Sequence, residues 1–219
     1  MIKDMISGPI IEPSNGNPPK QMIIFVHGYG ADGNDLIGLT NYFQSTLPEA
    51  IFLSPHAPEA CSMNPSGYQW FDLTSTDPAV LWSKILVAAD HLNEFIDSKL
   101  LEYKIAEENL ALIGFSQGTM MSLHVSLRRK NTMAAVLGYS GRLIGADLLK
   151  DDLISKPSIY LIHGDQDPMV PYQESLTAEK VLKEYSVDIK THISEHTQHS
   201  IAEDGLRIGV DFLASKLKI

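Results

Sequence analysis

Residues 110–118 read Leu-Ala-Leu-Ile-Gly-Phe-Ser-Gln-Gly, and they constrain the fold more than any other stretch of the chain. The run 110–113 is short and wholly apolar, the pattern of a strand covered on both faces. Met120, Leu123 and Leu127 then recur at helical spacing. Between the two lies Gly114-Phe115-Ser116-Gln117-Gly118, a G-x-S-x-G pentapeptide. A strand that turns at once into a helix leaves no room for side chains beside the central residue, so glycine stands on both sides of it. The Ser116 hydroxyl is expected to project above the sheet. The positive end of the helix then points at any negative charge that develops there. The pentapeptide alone would also fit an incidental serine in a Gly-rich turn. The flanking strand and helix favour a nucleophile elbow.

The rest of the chain supplies the sheet that such a turn needs. Apolar runs at 22–26, 50–54, 110–113, 133–137, 158–162 and 187–193 read as strands, with a short edge strand over 8–12. Helical spacing predicts helices over 36–47, from near Pro78 toward Glu108, after the elbow, over 174–185 and over 202–217. Asn34 or Asp35 is the expected cap of the first of these. Strands and helices alternate without repeats or a linker. The expected fold class is therefore α/β, one domain over residues 1–219 around a mostly parallel sheet with helices on both faces. The segment 55–77 is long and irregular, which points to a loop that serves a site. Trp70 and Phe71 within it argue against disorder, because large rings want cover.

Composition narrows the function classes. The chain has 219 residues, of which 44% are hydrophobic, enough for one sizeable core. A formal net charge of −10 makes binding to a phosphate backbone a poor expectation, so no nucleic-acid partner is expected. Arg128-Arg129-Lys130 is the compact basic cluster, and it falls at a predicted helix C-terminus, where cations are favoured. Cys61 is the single cysteine, which excludes an intramolecular disulfide and a cysteine-built zinc site. No metal or cofactor is expected. No apolar run has the length of a signal peptide core or a membrane span, so a cytoplasmic protein without stable membrane insertion is the default. A homodimer is compatible with the sequence.

A serine becomes a nucleophile at neutral pH only with a base beside it, and the base needs an orienting carboxylate. On this architecture the expected chain order is Ser, then acid, then His. The acid candidates at a strand end are Asp165 and Asp167, in His163-Gly-Asp-Gln-Asp-Pro168. Asp167 is preferred because Pro168 holds it extended, whereas Asp165 is placed to brace the turn. The base candidates are His196 and His199, and His199 directly precedes the last helical pattern. His27, His56, His91, His124 and His163 read as structural, His27 by bonding within its own Gly-rich loop. Ser140 follows a strand but lacks a helical pattern behind it, so it is a decoy. An oxyanion hole needs two backbone N–H donors. Gln117, after the nucleophile, supplies one, and Tyr29, in the loop after the strand at 22–26, supplies the other. Trp70, Leu73 and Met169 are candidates for the wall of an acyl pocket, and each is equally at home in a core.

Taken together, these motifs resemble the phospholipase/carboxylesterase family of α/β-hydrolases, which includes acyl-protein thioesterases and small bacterial carboxylesterases. The resemblance runs from about Met22 to the C-terminus. It is carried by His27-Gly-Tyr-Gly-Ala-Asp-Gly-Asn-Asp35, Gln69-Trp-Phe-Asp72, Gly114-Phe-Ser-Gln-Gly118, Tyr139-Ser-Gly141, His163-Gly-Asp-Gln-Asp-Pro-Met-Val-Pro171 and His199-Ser200. It implies an α/β-hydrolase fold with little or no lid. It also implies a triad of Ser116, Asp167 and His199 with oxyanion donors at Tyr29 and Gln117. The chain departs from the family pattern at Tyr29, where an aliphatic residue is usual, and at Gln198, where glycine commonly precedes the histidine. The Gln-Trp-Phe sequence is closer to the bacterial carboxylesterases.

The expected activity is hydrolysis of short- to medium-chain carboxylic esters through an acyl-enzyme. A histidine base predicts a rate that falls below about pH 6–7. The same machinery would serve an acyl-protein thioesterase or a lysophospholipase, and peptidase chemistry is also known on such folds. A catalytically silent binding module is the reading from another class, and a complete Ser, Asp and His set argues against it.

Overall fold

The computed structural model describes residues 6–75 and 77–217. In chain order the strands and helices are β1 Ile10–Ile11, β2 Gln21–Val26, α1 Gly33–Ile37, α2 Thr40–Phe43, β3 Ala50–Leu53, β4 Glu59–Ala60, β5 Tyr68–Gln69, α3 Pro78–Tyr103, β6 Leu110–Phe115, α4 Gln117–Arg128, β7 Ala135–Tyr139, α5 Leu149–Asp152, β8 Ser158–Gly164, α6 Gln173–Glu184, β9 Ile189–Ser194 and α7 Glu203–Lys216. Seven strands form one sheet in the order β1-β3-β2-β6-β7-β8-β9. Every pairing is parallel except that of the edge strand β1 with β3. This is the α/β-hydrolase arrangement. The connection from β7 to β8 holds only a 3-10 turn and α5, so no lid domain is inserted there.

Strand β2 shows why its residues are apolar without alternation. Met22, Ile24 and Val26 belong to the core shared with α3, α4 and α6. Ile23 and Phe25 belong to the core on the other face, with Phe43 of α2 and Leu213 of α7. Each face of the pleat meets a helix layer, so neither can be polar. Helix α3 has Pro78 in its first turn, and the Asp77 carboxylate accepts from the Ala79 N–H at 2.8 Å. It ends where Lys104 turns left-handed and Ile105 N–H reaches back to Leu100 O at 3.0 Å. That end precedes the predicted limit at Glu108, and a 3-10 turn fills the gap.

The predicted helix over 36–47 is instead two short pieces. Asp32, rather than Asn34 or Asp35, caps the first by accepting from Asn34 N–H at 2.7 Å. Around Gly38 the backbone tightens into three-residue bonds, Leu39 N to Leu36 O at 3.0 Å and Tyr42 N to Leu39 O at 2.9 Å. Glycine is a weak helix former, and the longer hydrogen-bond ring is lost there. Strand β7 lies two residues later than predicted and continues through Gly138. Gly138 lets Thr119 of α4 pack close, since a Cβ there would stand 2.6 Å from Thr119 Cγ2. The basic cluster is absorbed by the fold: Arg128 pairs with Asp152 at 2.9 Å, and Arg129 pairs with Glu107 and Asp97. Among the described residues no helix is long and apolar enough to cross a membrane.

Candidate active site

The pentapeptide turns as the sequence predicts. Ser116 has φ 53° and ψ −114°, outside the regions an L-residue prefers, which costs about 1–3 kcal/mol. The turn is imposed from both sides. Ser116 N–H donates to Tyr139 O at 2.8 Å, and Ser116 O accepts from Thr119 N–H at 3.0 Å. A Cβ on Gly118 would stand 1.7 Å from Val26 O, so α4 can start here only with glycine. The Gln117 N–H lies in the first turn of α4, whose amides have no acceptor within the helix.

The loop after β2 lies against this turn. A Cβ on Gly28 would stand 3.4 Å from Ser116 Cβ and 3.1 Å from Phe115 Cδ1, which sets Tyr29 beside the elbow. His27 fastens the loop. Its Nε2 accepts from Ala57 N–H at 2.9 Å, so Nδ1 carries the proton and donates to Gly28 O at 2.8 Å. Burial lowers its pKa and keeps it neutral. His27 is thus structural, as predicted, and so is His56, whose Nδ1 accepts from Gly33 N–H. The Tyr29 hydroxyl bonds Ser62 Oγ at 3.0 Å.

Gln117 has a second part that the sequence did not reveal. Its buried side chain accepts from Trp70 N–H at 2.9 Å and donates to Phe71 O at 2.6 Å. It pins the 55–77 segment to the elbow. Trp70 is 1% exposed, and its indole N–H donates to His27 O at 3.0 Å. Residues 55–75 are therefore an ordered clamp over the loop after β2, with β4 and β5 as a small hairpin inside it.

The other two candidates come from β8 and β9, whose paired ends Gly164 and Ser194 release their loops side by side. The Asp167 carboxylate is fully buried and accepts three hydrogen bonds. Oδ1 takes Met169 N–H at 2.8 Å and Val170 N–H at 2.9 Å. Oδ2 takes His199 Nδ1–H at 2.6 Å, and His163 Nε2, whose N–H is given to Val170 O, stands 3.2 Å from the same oxygen. Burial pushes the carboxyl up, but the Val170 and His199 hydrogen bonds outweigh it and hold it below the usual carboxylate range. With Nδ1 engaged, His199 keeps Nε2 as its basic atom. The ring lies 4.9 Å from that of Phe115, the residue before Ser116.

The rivals go elsewhere. His196 is exposed, and its ring meets the Gln166 amide at 3.5 Å. Asp165 accepts from Thr197 N–H at 3.1 Å, so it braces the histidine loop across the gap as well as its own turn. Ser140 is buried. His163 is buried and structural, but it structures the acid. Its Nδ1 accepts from Ser175 Oγ at 2.7 Å, which fixes Nε2–H toward Val170 O and Asp167. No local signal could have shown this, because Ser175 lies on α6.

A groove of about 310 Å³ opens beside these loops. Its walls include Met120, whose N–H bonds Ser116 O, and Met169 and Val170, whose N–H groups bond Asp167. Leu73 lines it too, so two of the three candidate wall residues border this groove. Trp70 is not among the residues that line this groove: it is buried under the loop after β2, with its ring 5.6 Å from that of His27. The sequence missed Arg142 and Glu174, which also face this groove.

Comparisons with known proteins bear on the family and the fold. The family described as phospholipase/carboxylesterase matches residues 9–217. Esterase YpfH of Escherichia coli is 25% identical over 91% of this chain and 84% of its own length. Acyl-protein thioesterase 1 of Kluyveromyces lactis is 27% identical over 94% and 96%. The crystal structure of esterase PE8 superposes with a TM-score of 0.93 at 35% identity, over 97% of this chain and all of the other. The chain belongs to the phospholipase/carboxylesterase family and is a hydrolase that acts on ester bonds.

Proposed function

We propose that the protein is a single-domain serine carboxylesterase for short- to medium-chain esters. Ser116 attacks the acyl carbon. His199 Nε2 takes its proton and returns it to the leaving alcohol, and Asp167 holds the imidazole tautomer. The amides of Gln117 and Tyr29 receive the oxyanion, where one donor is typically worth about 3–4 kcal/mol. His163 is a positioning residue for Asp167. The observation that carries this reading is the 2.6 Å bond from His199 Nδ1 to a fully buried Asp167, beside a serine held at φ 53°. The cytoplasm is the proposed compartment, with small esters as partners.

The test is hydrolysis of p-nitrophenyl esters from acetate to palmitate. Short and medium chains are expected to turn over, and Ser116→Ala is expected to lose about 10⁴-fold or more in kcat. Full activity in Ser116→Ala would place the nucleophile elsewhere. The 27% identity to an acyl-protein thioesterase supports a second reading, with the same machinery on thioesters. Thioesters and oxyesters compared at equal chain length separate the two.

A further inference from the structure

Arg142 stands one residue beyond Gly141, which packs so closely on the elbow that a Cβ there would lie 2.9 Å from Ser116 O. Its side chain lines the 310 Å³ groove and also an adjoining groove of about 560 Å³, which runs along the start of α3 past Trp82 and Ile144. Leu81 and Glu174 are shared by the same two walls, so the grooves are continuous there. The Arg142 Nε is buried without a hydrogen-bond partner, and no ion pair engages the guanidinium among the described residues. Arg128 and Arg129, by contrast, each hold carboxylates. In a chain with 27 acidic residues, a half-buried guanidinium left unpaired beside the elbow is a set of N–H donors that an anionic ligand can satisfy.

We propose that Arg142 receives a carboxylate of the substrate, so that the ester cleaved at Ser116 carries a second, anionic group. This rests on the esterase reading above. The guanidinium offers a bidentate fork to one carboxylate, and the apolar walls at Leu81, Trp82 and Ile144 cover the carbon skeleton. Glu174, on both walls, and Asp147, on the larger groove, bound the charge of the ligand. Their negative charge disfavours a dianion such as phosphate and leaves a single carboxylate as the better fit.

The experiment compares kcat/KM for charged and neutral esters of matched shape. One arm sets the p-nitrophenyl hemiester of glutarate against p-nitrophenyl pentanoate, with the anion on the acyl side. The other sets the butyryl ester of p-hydroxyphenylpropionate against that of p-propylphenol, with the anion on the alcohol side. A preference of about tenfold for the anion in either arm is expected at low ionic strength, falling with salt. Arg142→Met is expected to bring that ratio to about one, and Arg142→Lys to retain part of it. Glu174→Gln is expected to raise it, which keeps the test decisive should Arg142→Met fold poorly. A wild-type ratio of one or below in both arms, or the same ratio in Arg142→Met, overturns the proposal while leaving the esterase standing. No hydrolysis in either arm, together with no labelling by a fluorophosphonate, overturns the esterase reading and this proposal with it.

Discussion

Ser116 stands on a turn that packing leaves no room to move, whereas His199 stands on a loop fastened mainly by hydrogen bonds. Around the elbow, β2, β7 and α4 close on the backbone directly, and residues 117–127 are all buried. Around the histidine, Glu195, His196, Gln198 and Ser200 are exposed. That loop is held by Asp165 to Thr197 N–H at 3.1 Å, by Gln166 N–H to Thr197 O at 2.9 Å and by Asp167 to His199. One close approach adds to these, Gly164 against Thr197 O. The difference teaches where each half is vulnerable. A steric lock fails when volume is added, whatever the solvent conditions. A hydrogen-bonded lock fails one group at a time, and it loses geometry before it loses stability.

Gly118→Ala should have the largest effect. A methyl group 1.7 Å from Val26 O forces β2 and α4 apart, and a destabilisation beyond about 4–5 kcal/mol is expected. Denaturant unfolding of whatever soluble protein remains is the measurement. A variant of near-wild-type stability would mean that the elbow is not sterically locked.

Acid should sharpen the contrast from the elbow side. His124 lies buried in α4, and burial together with the Arg128 charge lowers its pKa from 6.5 to about 3. The unfolded chain therefore binds this proton first as pH falls. Stability is full above pH 6.5 and is lost progressively toward pH 3, by up to about 4 kcal/mol. Carboxylates such as Asp72, which the Lys84 hydrogen bond lowers to about 2, weaken the fold only at lower pH. His124→Leu is expected to flatten the stability curve between pH 6.5 and 4. An unchanged slope in chemical unfolding across that range would assign the acid response to other groups.

Asp165→Ala should show the smallest effect on the fold and a clear one on the chemistry. Losing one hydrogen bond costs about 1 kcal/mol, or about 2–4 °C in Tm. A loosened histidine loop should lower kcat about tenfold with little change in KM. A large loss of Tm with an unaltered kcat would erase the distinction between the two halves.

The legible parts of the molecule were local or periodic. The elbow could be read because strand, turn and helix are contiguous, and glycine at 114 and 118 marks the absence of space. Strands β2, β3, β6 and β8 could be read because both faces of the sheet are covered. The misplaced elements were those where a single residue bends a weak pattern, at Gly38 and Gly138. Trp70 was ambiguous because a large ring suits a pocket wall and a core equally. His163 reads in sequence as any buried histidine, because Ser175 and Asp167, at its two nitrogens, are set there by the fold.

By itself the sequence determined the alternation of the main strands and helices, the strand–turn–helix at Ser116 and the chain order of the candidate serine, acid and histidine. Those features follow from backbone sterics and from the period of apolar residues, which neighbours along the chain set. Tertiary structure decided the Asp167–His199 pair, the Gln117 clamp on Trp70 and Phe71, and the groove that Arg142 faces. Each of these joins segments distant in sequence, and only the parallel pairing of the strands brings their ends to one edge of the sheet.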